Sequence, residues 1–206
     1  MHSIKLVSEE LTPSKVVCVG RNYTAHIAEL NNETPDQMVL FNKPNSAITN
    51  TLFAAHNGDT LHYETELCFV VKDKKFAGVG LGLDLTKRTA QSKLKNKGLP
   101  WERAKAFDGS VILTDFVALT DAMKHFTFEL KINNEVIQRG DTHFMLHNPD
   151  SILQEISEFM SLEDGDVIMT GTPSGVGEVT AKSIFAVALY ANDQCLLEHQ
   201  WQVSKN

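Results

Sequence analysis

Short apolar runs separated by polar turns dominate the pattern of the chain. Residues 126–132 alternate apolar and polar side chains and are followed by Asn133 and Asn134. Asparagine tolerates the positive φ of a tight turn, so the segment 126–140 is predicted to be a β-hairpin. Other apolar runs predict further strands at residues 15–20, 38–44, 62–71, 76–83, 166–171 and 183–191.

Few segments have the periodicity of a helix. The predicted helices are residues 22–30 with Asn22 as N-cap, a helix capped near Thr86 and stopped by Gly98 and Pro100, and residues 148–162, capped by Asn148 with an apolar stripe of Ile152, Leu153, Ile156, Phe159 and Met160. Because strands and helices do not alternate regularly, we predict a β-dominated α+β fold rather than a doubly wound sheet. The length of 206 residues suits a single domain over residues 1–206.

The charge of the chain argues against one class of function. The chain has 19 Lys and Arg against 26 Asp and Glu, a formal net charge of −7. A nucleic-acid surface needs a basic patch, so no nucleic-acid partner is expected. The densest basic cluster is expected to be the solvated face of a helix, and its members are Lys87, Arg88, Lys93, Lys95 and Lys97.

The cysteines and the N-terminal segment predict a cytoplasmic location. Cys18, Cys68 and Cys195 are odd in number and lie among apolar neighbours, so we expect buried free thiols in a reducing compartment. The first residues do not resemble a secretory signal, and no apolar run approaches the roughly 18 residues of a membrane helix. No membrane partner is therefore expected.

Two carboxylates interrupt an otherwise apolar strand. Glu64 and Glu66 are two residues apart, so on a strand they would face the same side, about 6.6 Å apart. Close carboxylates repel each other unless a cation lies between them, and Mg²⁺ prefers such oxygen ligands. Asp84, at the end of another apolar strand, is a candidate third ligand. The alternatives are a solvated strand end for the glutamates and a helix-capping role for Asp84.

A candidate general base lies on the first predicted helix. His26 and Glu29 are three residues apart and share a helix face. A carboxylate beside an imidazole orients it and raises its basicity, although a surface pair is the alternative. A second candidate is the glycine-rich loop 171–177, which can turn backbone N–H groups toward an anion if it is not an ordinary turn.

Several motifs, in this order and spacing, resemble the fumarylacetoacetate hydrolase family, in particular its short members that act as acylpyruvate hydrolases or oxaloacetate decarboxylases. The resemblance extends from about Lys15 to Gln202. The motifs are GRNYTAHIAEL, LFNKPNSAI, HYETEL, GLDLTKRTAQ, KGLPWERAKAFDGS, INNEVIQRGDTHFM and GDVIMTGTPSGVGEV. The resemblance implies a mixed β-roll or sandwich core with few short helices, a homodimer, and a site that binds Mg²⁺, with Mn²⁺ as the alternative.

The same resemblance implies roles for individual residues. The metal ligands would be Glu64, Glu66 and Asp84; the catalytic residues would be His26, Glu29 and Lys105; and the substrate-binding residues would be Arg21, Asn22, Gln91 and Thr172. One position departs from the family, which commonly has Asp where Thr89 follows Arg88. This departure puts an ion pair at the start of that helix in doubt.

The implied substrate is a small 2-oxo acid. Hydrolysis of the C–C bond of acylpyruvates to pyruvate and a carboxylic acid is the first expectation. Oxaloacetate decarboxylation or keto–enol tautomerisation at the same site is the alternative, and a non-catalytic domain stabilised by a metal is a third reading. The polar segment 31–37, which follows the His26 helix, is expected to belong to a lid over bound substrate.

Overall fold

The computed structural model describes residues 1–29 and 35–204, so most of the predicted lid segment lies outside the described residues. The strands are β1 (Ile4–Leu6), β2 (Glu9–Leu11), β3 (Lys15–Gly20), β4 (Val39–Pro44), β5 (Ile48–Thr49), β6 (Ala55–His56), β7 (Asp59–Thr60), β8 (His62–Tyr63), β9 (Thr65–Lys72), β10 (Lys75–Asp84), β11 (Val111–Leu113), β12 (Val117–Ala118), β13 (Phe126–Ile132), β14 (Glu135–Asp141), β15 (Val167–Met169), β16 (Gly177–Glu178), β17 (Ile184–Ala191) and β18 (Gln194–Gln202). The helices are α1 (Thr24–Glu29), α2 (Arg88–Asn96), α3 (Glu102–Lys105) and α4 (Pro149–Phe159), with 3₁₀ turns at Asn45–Ala47 and Thr142–Phe144.

The main sheet is mixed and has the strand order β4-β3-β15-β9-β10-β11-β5, with β12 also paired to β10. The pairs β3–β15 and β5–β11 are parallel, and the other pairs are antiparallel. Strands β9 and β10 lie in its middle, and their residues are buried from Thr65 to Val71 and from Gly78 to Asp84. Side chains at the ends of these two strands are therefore held by a deeply buried part of the fold.

A second, antiparallel sheet has the order β14-β13-β17-β18. Its apolar face, including Phe128 and Leu189, packs with Phe69 and Leu81 of the main sheet in one core cluster. Helix α4 covers another part of the main sheet through Ile152 and other apolar side chains. The result is a β-dominated α+β fold with two packed sheets and few short helices, as the sequence predicts.

Most predicted elements are confirmed, including the hairpin. Asn133 and Asn134 have φ of 49° and 71°, the positive values that the tight turn requires. Helix α4 begins as predicted, since Asn148 Oδ1 accepts a hydrogen bond from Ser151 N at 2.9 Å. Among the described residues, no helix combines the length and the apolar character needed to cross a membrane.

Helix starts and one side chain of the α4 stripe differ from the predictions. Helix α1 begins at Thr24, and Asn22 is not its cap. Helix α2 begins close to the predicted place, with Lys87 as its N-cap, but the Thr86 hydroxyl does not cap it and donates to Glu64 at 3.3 Å. Phe159 is 61% exposed and does not join the cluster that Ile152, Ile156 and Met160 form with the main sheet.

Two expectations about side-chain exposure are also wrong. Cys18 and Cys68 are buried, but Cys195 is exposed, since it lies on β18, the last strand of the second sheet. Lys87 is buried, and the Arg88 side chain is only 18% exposed. They turn inward at the start of α2, and Lys87 lies 3.0 Å from Asp59 Oδ2.

Candidate active site

The three predicted metal ligands meet at one end of the β9–β10 pair. Glu64 lies at a break between β8 and β9, Glu66 lies opposite Gly82 in the β9–β10 pair, and Asp84 ends β10. Each can place a carboxylate oxygen within 4.8 Å of the others, and all three are buried. Gly82 keeps the packing beneath them close, since a Cβ there would lie 3.0 Å from Cys68 Sγ.

Basic side chains surround two of the three carboxylates. Lys105 Nζ lies 2.9 Å from Glu64 Oε2 and 2.7 Å from Asp84 Oδ2. Lys43 Nζ lies 2.9 Å from Asp84 Oδ1, and Arg88 Nη2 lies 2.6 Å from Glu64 Oε1. Burial alone would raise the pKa of Glu64, but Lys105 and Arg88 outweigh it and hold that pKa below its usual range. The pKa of Lys105 is raised, because Asp84 and Glu64 outweigh its own burial, so Lys105 keeps its charge.

Glu66 has a different electrostatic environment. Its Oε2 accepts a hydrogen bond from Gly171 N at 2.7 Å. Burial and the charges of Asp84 and Glu64 raise its pKa well above the usual value, despite this hydrogen bond and Lys105. A set of buried oxygen donors in which neighbouring charges oppose the ionisation of one member fits a divalent cation, which would offset that repulsion.

The proposed base lies beside these carboxylates. His26 is buried on α1, and its Nδ1 lies 3.2 Å from Glu29 Oε2. Glu29 Oε1 accepts a hydrogen bond from Gly175 N at 2.9 Å. Glu29 is thus held between the imidazole and the glycine-rich loop, which fixes the orientation of His26.

The glycine-rich loop does bind anions, but they are carboxylates of the chain itself. Its backbone N–H groups at Gly171 and Gly175 donate to Glu66 and Glu29. Gly171 has φ of 96°, and a Cβ there would lie 2.8 Å from Asn22 Cβ, so the close approach requires glycine. The loop therefore positions a proposed metal ligand and the acid of the dyad.

One cavity collects most of the predicted residues. It is lined, among others, by Arg21, His26, Glu64, Glu66, Asp84, Gln91, Lys105 and Thr172. Asn22 is fully buried instead, and its Nδ2 donates to the carbonyls of His147 and Thr170 at 2.9 and 2.8 Å. Asn22 thus holds backbone segments behind the cavity, and it is not placed for direct contact with substrate.

Sequence reasoning gave no site role to four basic or aromatic residues. Lys43 shares a face of β4 with Phe41, and this inward position was a signal that could have identified it. Arg88 contacts Glu64 and also donates to Gln91 Oε1 at 2.8 Å, so Arg88 has an acidic partner although position 89 has no acid. Lys95 and Trp101 line the cavity as well, with Lys95 Nζ 4.7 Å from the ring centre.

Comparison with known proteins agrees with this geometry. The family model for the fumarylacetoacetate (FAA) hydrolase C-terminal region matches residues 15–200. Oxaloacetate tautomerase YcgM of Escherichia coli is 39% identical, with 80% of this chain and 83% of that protein covered. The mitochondrial oxaloacetate tautomerase FMP41 of Saccharomyces cerevisiae is 36% identical, over 80% of this chain and 82% of that protein.

A solved structure shows the same fold with a ligand. The crystal structure of fumarylpyruvate hydrolase from Pseudomonas aeruginosa in complex with Mn²⁺ and pyruvate is 27% identical, with a TM-score of 0.87. The similarity covers 100% of this chain and 96% of that chain. Sequence, fold and the cluster of acidic residues agree: the chain belongs to the fumarylacetoacetate hydrolase family of enzymes.

Proposed function

We propose that this chain is an oxaloacetate tautomerase, which interconverts the keto and enol forms of oxaloacetate. The sequence made hydrolysis of acylpyruvates the first expectation and this reaction the alternative. The relatives named above favour the alternative, since two of them are oxaloacetate tautomerases. The fumarylpyruvate hydrolase of similar fold keeps hydrolysis as the second candidate.

The observation that carries the proposal is a base and a cluster of charges in one cavity. His26 lines the same cavity as the three acidic residues and four basic side chains, Arg21, Arg88, Lys95 and Lys105. Oxaloacetate has two carboxylates, and these basic side chains would form ion pairs with both. Burial and then the charges of Arg21 and Lys105 lower the pKa of Lys95 to about 8, which a bound carboxylate would reverse.

Tautomerisation moves one proton between C3 and the oxygen on C2. A neutral His26 that donates Nδ1–H to Glu29 presents Nε2 as the base. His26 takes the proton from C3 as the C2 oxygen gains negative charge, and then delivers that proton to the oxygen. Lys105 remains charged and stabilises the developing oxyanion electrostatically. No water attacks and no carbon–carbon bond breaks, so the dyad needs only to move a proton.

The proposed cofactor is Mg²⁺, with Mn²⁺ as the alternative. Glu64, Glu66 and Asp84 would hold it, because all three offer oxygen ligands. When bound, the cation would supply Lewis-acid polarisation of the 2-oxo group. Lys43, which contacts Asp84, would keep that carboxylate oriented toward the other two.

The direct test compares three reactions in Mg²⁺: tautomerisation of oxaloacetate, its decarboxylation, and hydrolysis of an acylpyruvate. We expect tautomerisation to have the highest kcat/KM. His26→Gln should lower it by about 10²–10⁴-fold, the usual contribution of a general base. The matched control is His199→Gln, a histidine on β18, which should leave the rate unchanged. Acylpyruvate hydrolysis faster than tautomerisation would show that the chain is a hydrolase, the second candidate. Full activity of His26→Gln would exclude His26 as the base.

We also propose that residues 1–206 are a single catalytic domain that forms a homodimer and works in the cytoplasm. The described residues carry the proposed ligands, the base and the loop that positions them on one pair of sheets. The yeast relative is named mitochondrial, so a mitochondrial location is the alternative. Light scattering measures the assembly, and a monomer mass at working concentration would contradict the dimer.

A further inference from the structure

A cluster of two histidines and one aspartate lies at the open end of the β13–β14 hairpin. His125 precedes β13, Asp141 ends β14, and His143 follows in the 3₁₀ turn. The antiparallel pairing places Thr127 opposite Asp141, which brings the two ends together. We infer that His125, Asp141 and His143 form a second metal site, separate from the carboxylate cavity, for a transition-metal ion such as Zn²⁺.

Two imidazole nitrogens converge on one carboxylate oxygen. His125 Nε2 lies 2.8 Å and His143 Nδ1 lies 3.3 Å from Asp141 Oδ1. The two rings face each other, with centroids 4.1 Å apart, and one ligand atom from each residue lies within 4.8 Å of the others. In a tetrahedral zinc site, bonds of about 2.0–2.2 Å place ligand atoms about 3.3 Å apart. The two spacings to Asp141 are therefore near those of a bound ion, and the third lies within 4.8 Å, so small side-chain rotations would complete the site.

The backbone holds the three side chains in register. Asp141 Oδ1 accepts a hydrogen bond from His143 N at 2.8 Å, which starts the 3₁₀ turn. Thr142 Oγ1 accepts another from Phe126 N at 3.2 Å and so ties that turn to the strand that follows His125. His143 is largely exposed, while His125 and Asp141 are partly buried. An ion can thus reach the cluster, and water can fill its remaining coordination position.

The chemistry of this cluster differs from that of the catalytic cavity. Imidazole nitrogen suits Zn²⁺, Ni²⁺, Cu²⁺ and Co²⁺, whereas Mg²⁺ prefers an all-oxygen set. The segment that follows the cluster pairs with the start of the active site: Leu146 N donates to Asn22 O at 2.9 Å, and His147 N donates to Asn22 Oδ1 at 2.7 Å. A bound ion would brace this segment from one side. The inference does not rest on the proposed function.

The test is a calorimetric titration of the full chain with Zn²⁺, after removal of metals and addition of excess Mg²⁺ to fill the carboxylate cavity. We expect about one Zn²⁺ per chain to bind, with an affinity that His143→Ala or His125→Ala weakens at least about tenfold. His199→Ala is the matched control and should bind as the unchanged chain does. Because His143 is exposed, its replacement by alanine should not prevent folding.

A second measurement separates the two sites. Tetrahedral Co²⁺ with imidazole ligands absorbs visible light far more strongly than octahedral Co²⁺ with oxygen ligands. The intense absorption should appear in the unchanged chain and in Glu66→Gln but be lost in His143→Ala. A rise in Tm with Zn²⁺ that is absent in His143→Ala would agree, since an ion that binds only the folded state stabilises it. Equal Zn²⁺ binding by all variants, or no binding in excess Mg²⁺, would overturn the inference and leave a hydrogen-bonded cluster only.

Discussion

Two buried acidic residues, Glu66 and Asp166, occupy opposite electrostatic environments in the same sheet. Asp166 precedes β15, and its oxygens accept hydrogen bonds from Ser14 N at 2.8 Å, Lys15 N at 3.1 Å and Glu163 N at 2.9 Å. Lys15 Nζ adds an ion pair at 2.5 Å. Glu66 accepts one backbone hydrogen bond, from Gly171, and faces two other carboxylates.

The pKa shifts of the two residues have opposite signs. Burial alone would raise both. The hydrogen bonds from Lys15, Glu163 and Ser14 outweigh burial at Asp166 and leave its pKa below the usual value, whereas burial and like charges leave the pKa of Glu66 well above it. A buried acid whose oxygens have hydrogen-bond and ion-pair partners supports the fold. A buried acid surrounded by other carboxylates fits a site that binds a cation.

The largest effect is expected from Glu66→Gln, which keeps the shape of the side chain and removes its negative charge. We expect activity in Mg²⁺ to fall by more than about 10²-fold, since loss of an outer-shell partner alone costs up to that much in metal sites. In the presence of a chelator, the free energy of unfolding should change by less than about 1 kcal/mol or rise, because a disfavoured charge is removed. Denaturant unfolding and steady-state kinetics measure the two effects. Activity that survives together with Mg²⁺ affinity would show that Glu66 is not a ligand.

The opposite result is expected for Asp166→Asn. The ion pair with Lys15 is lost. The amide NH2 of asparagine would also face a backbone N–H that donates to a carboxylate oxygen of Asp166. The free energy of unfolding should fall by about 2–3 kcal/mol, while kcat well below Tm should stay the same. Asp164→Asn is a matched control two residues away, at an exposed position, and should cost clearly less. If Asp166→Asn lowered activity without lowering stability, the separation into structural and functional acids would be wrong.

The sequence predicts the strands and the hairpin well, because their signals are local. Alternating apolar residues and the Asn133-Asn134 turn predict the β13–β14 hairpin without reference to other parts of the chain, whereas β18 of the same sheet was not predicted. Helix starts are predicted less well where a polar residue has a tertiary partner. Asn22 and Thr86 both look like caps, yet their side chains bond to residues distant in sequence. Local capping signals cannot distinguish these cases.

The candidate site is predictable in its acids and, through the family resemblance, in Arg21 and Lys105, but not in its other basic residues. Glu64 and Glu66 stand out because carboxylates are rare in an apolar strand, and Asp84 stands out because it ends one. Arg88 could not be singled out from the sequence, because it belongs to a run of basic residues that resembles a solvated helix face. Lys43 could not be recognised because its partner Asp84 is 41 positions away along the chain and four strands away in the order of the main sheet, so no local pattern predicts the contact.

The smallest expected effect concerns the acid dependence of stability, and it tests the same contrast without a change in activity. Because the pKa of Asp166 is lowered on folding, its contribution is fully present above the ordinary aspartate pKa of about 3.9 and is lost as the pH falls through the folded value. The difference in unfolding free energy between the unchanged chain and Asp166→Asn should therefore be constant above about pH 5 and shrink below about pH 4. Denaturant unfolding at a series of pH values measures this difference, in which contributions from other acids cancel. A difference that stayed constant down to the acid transition would mean that the carboxylate of Asp166 stabilises the fold through its shape and not through its charge.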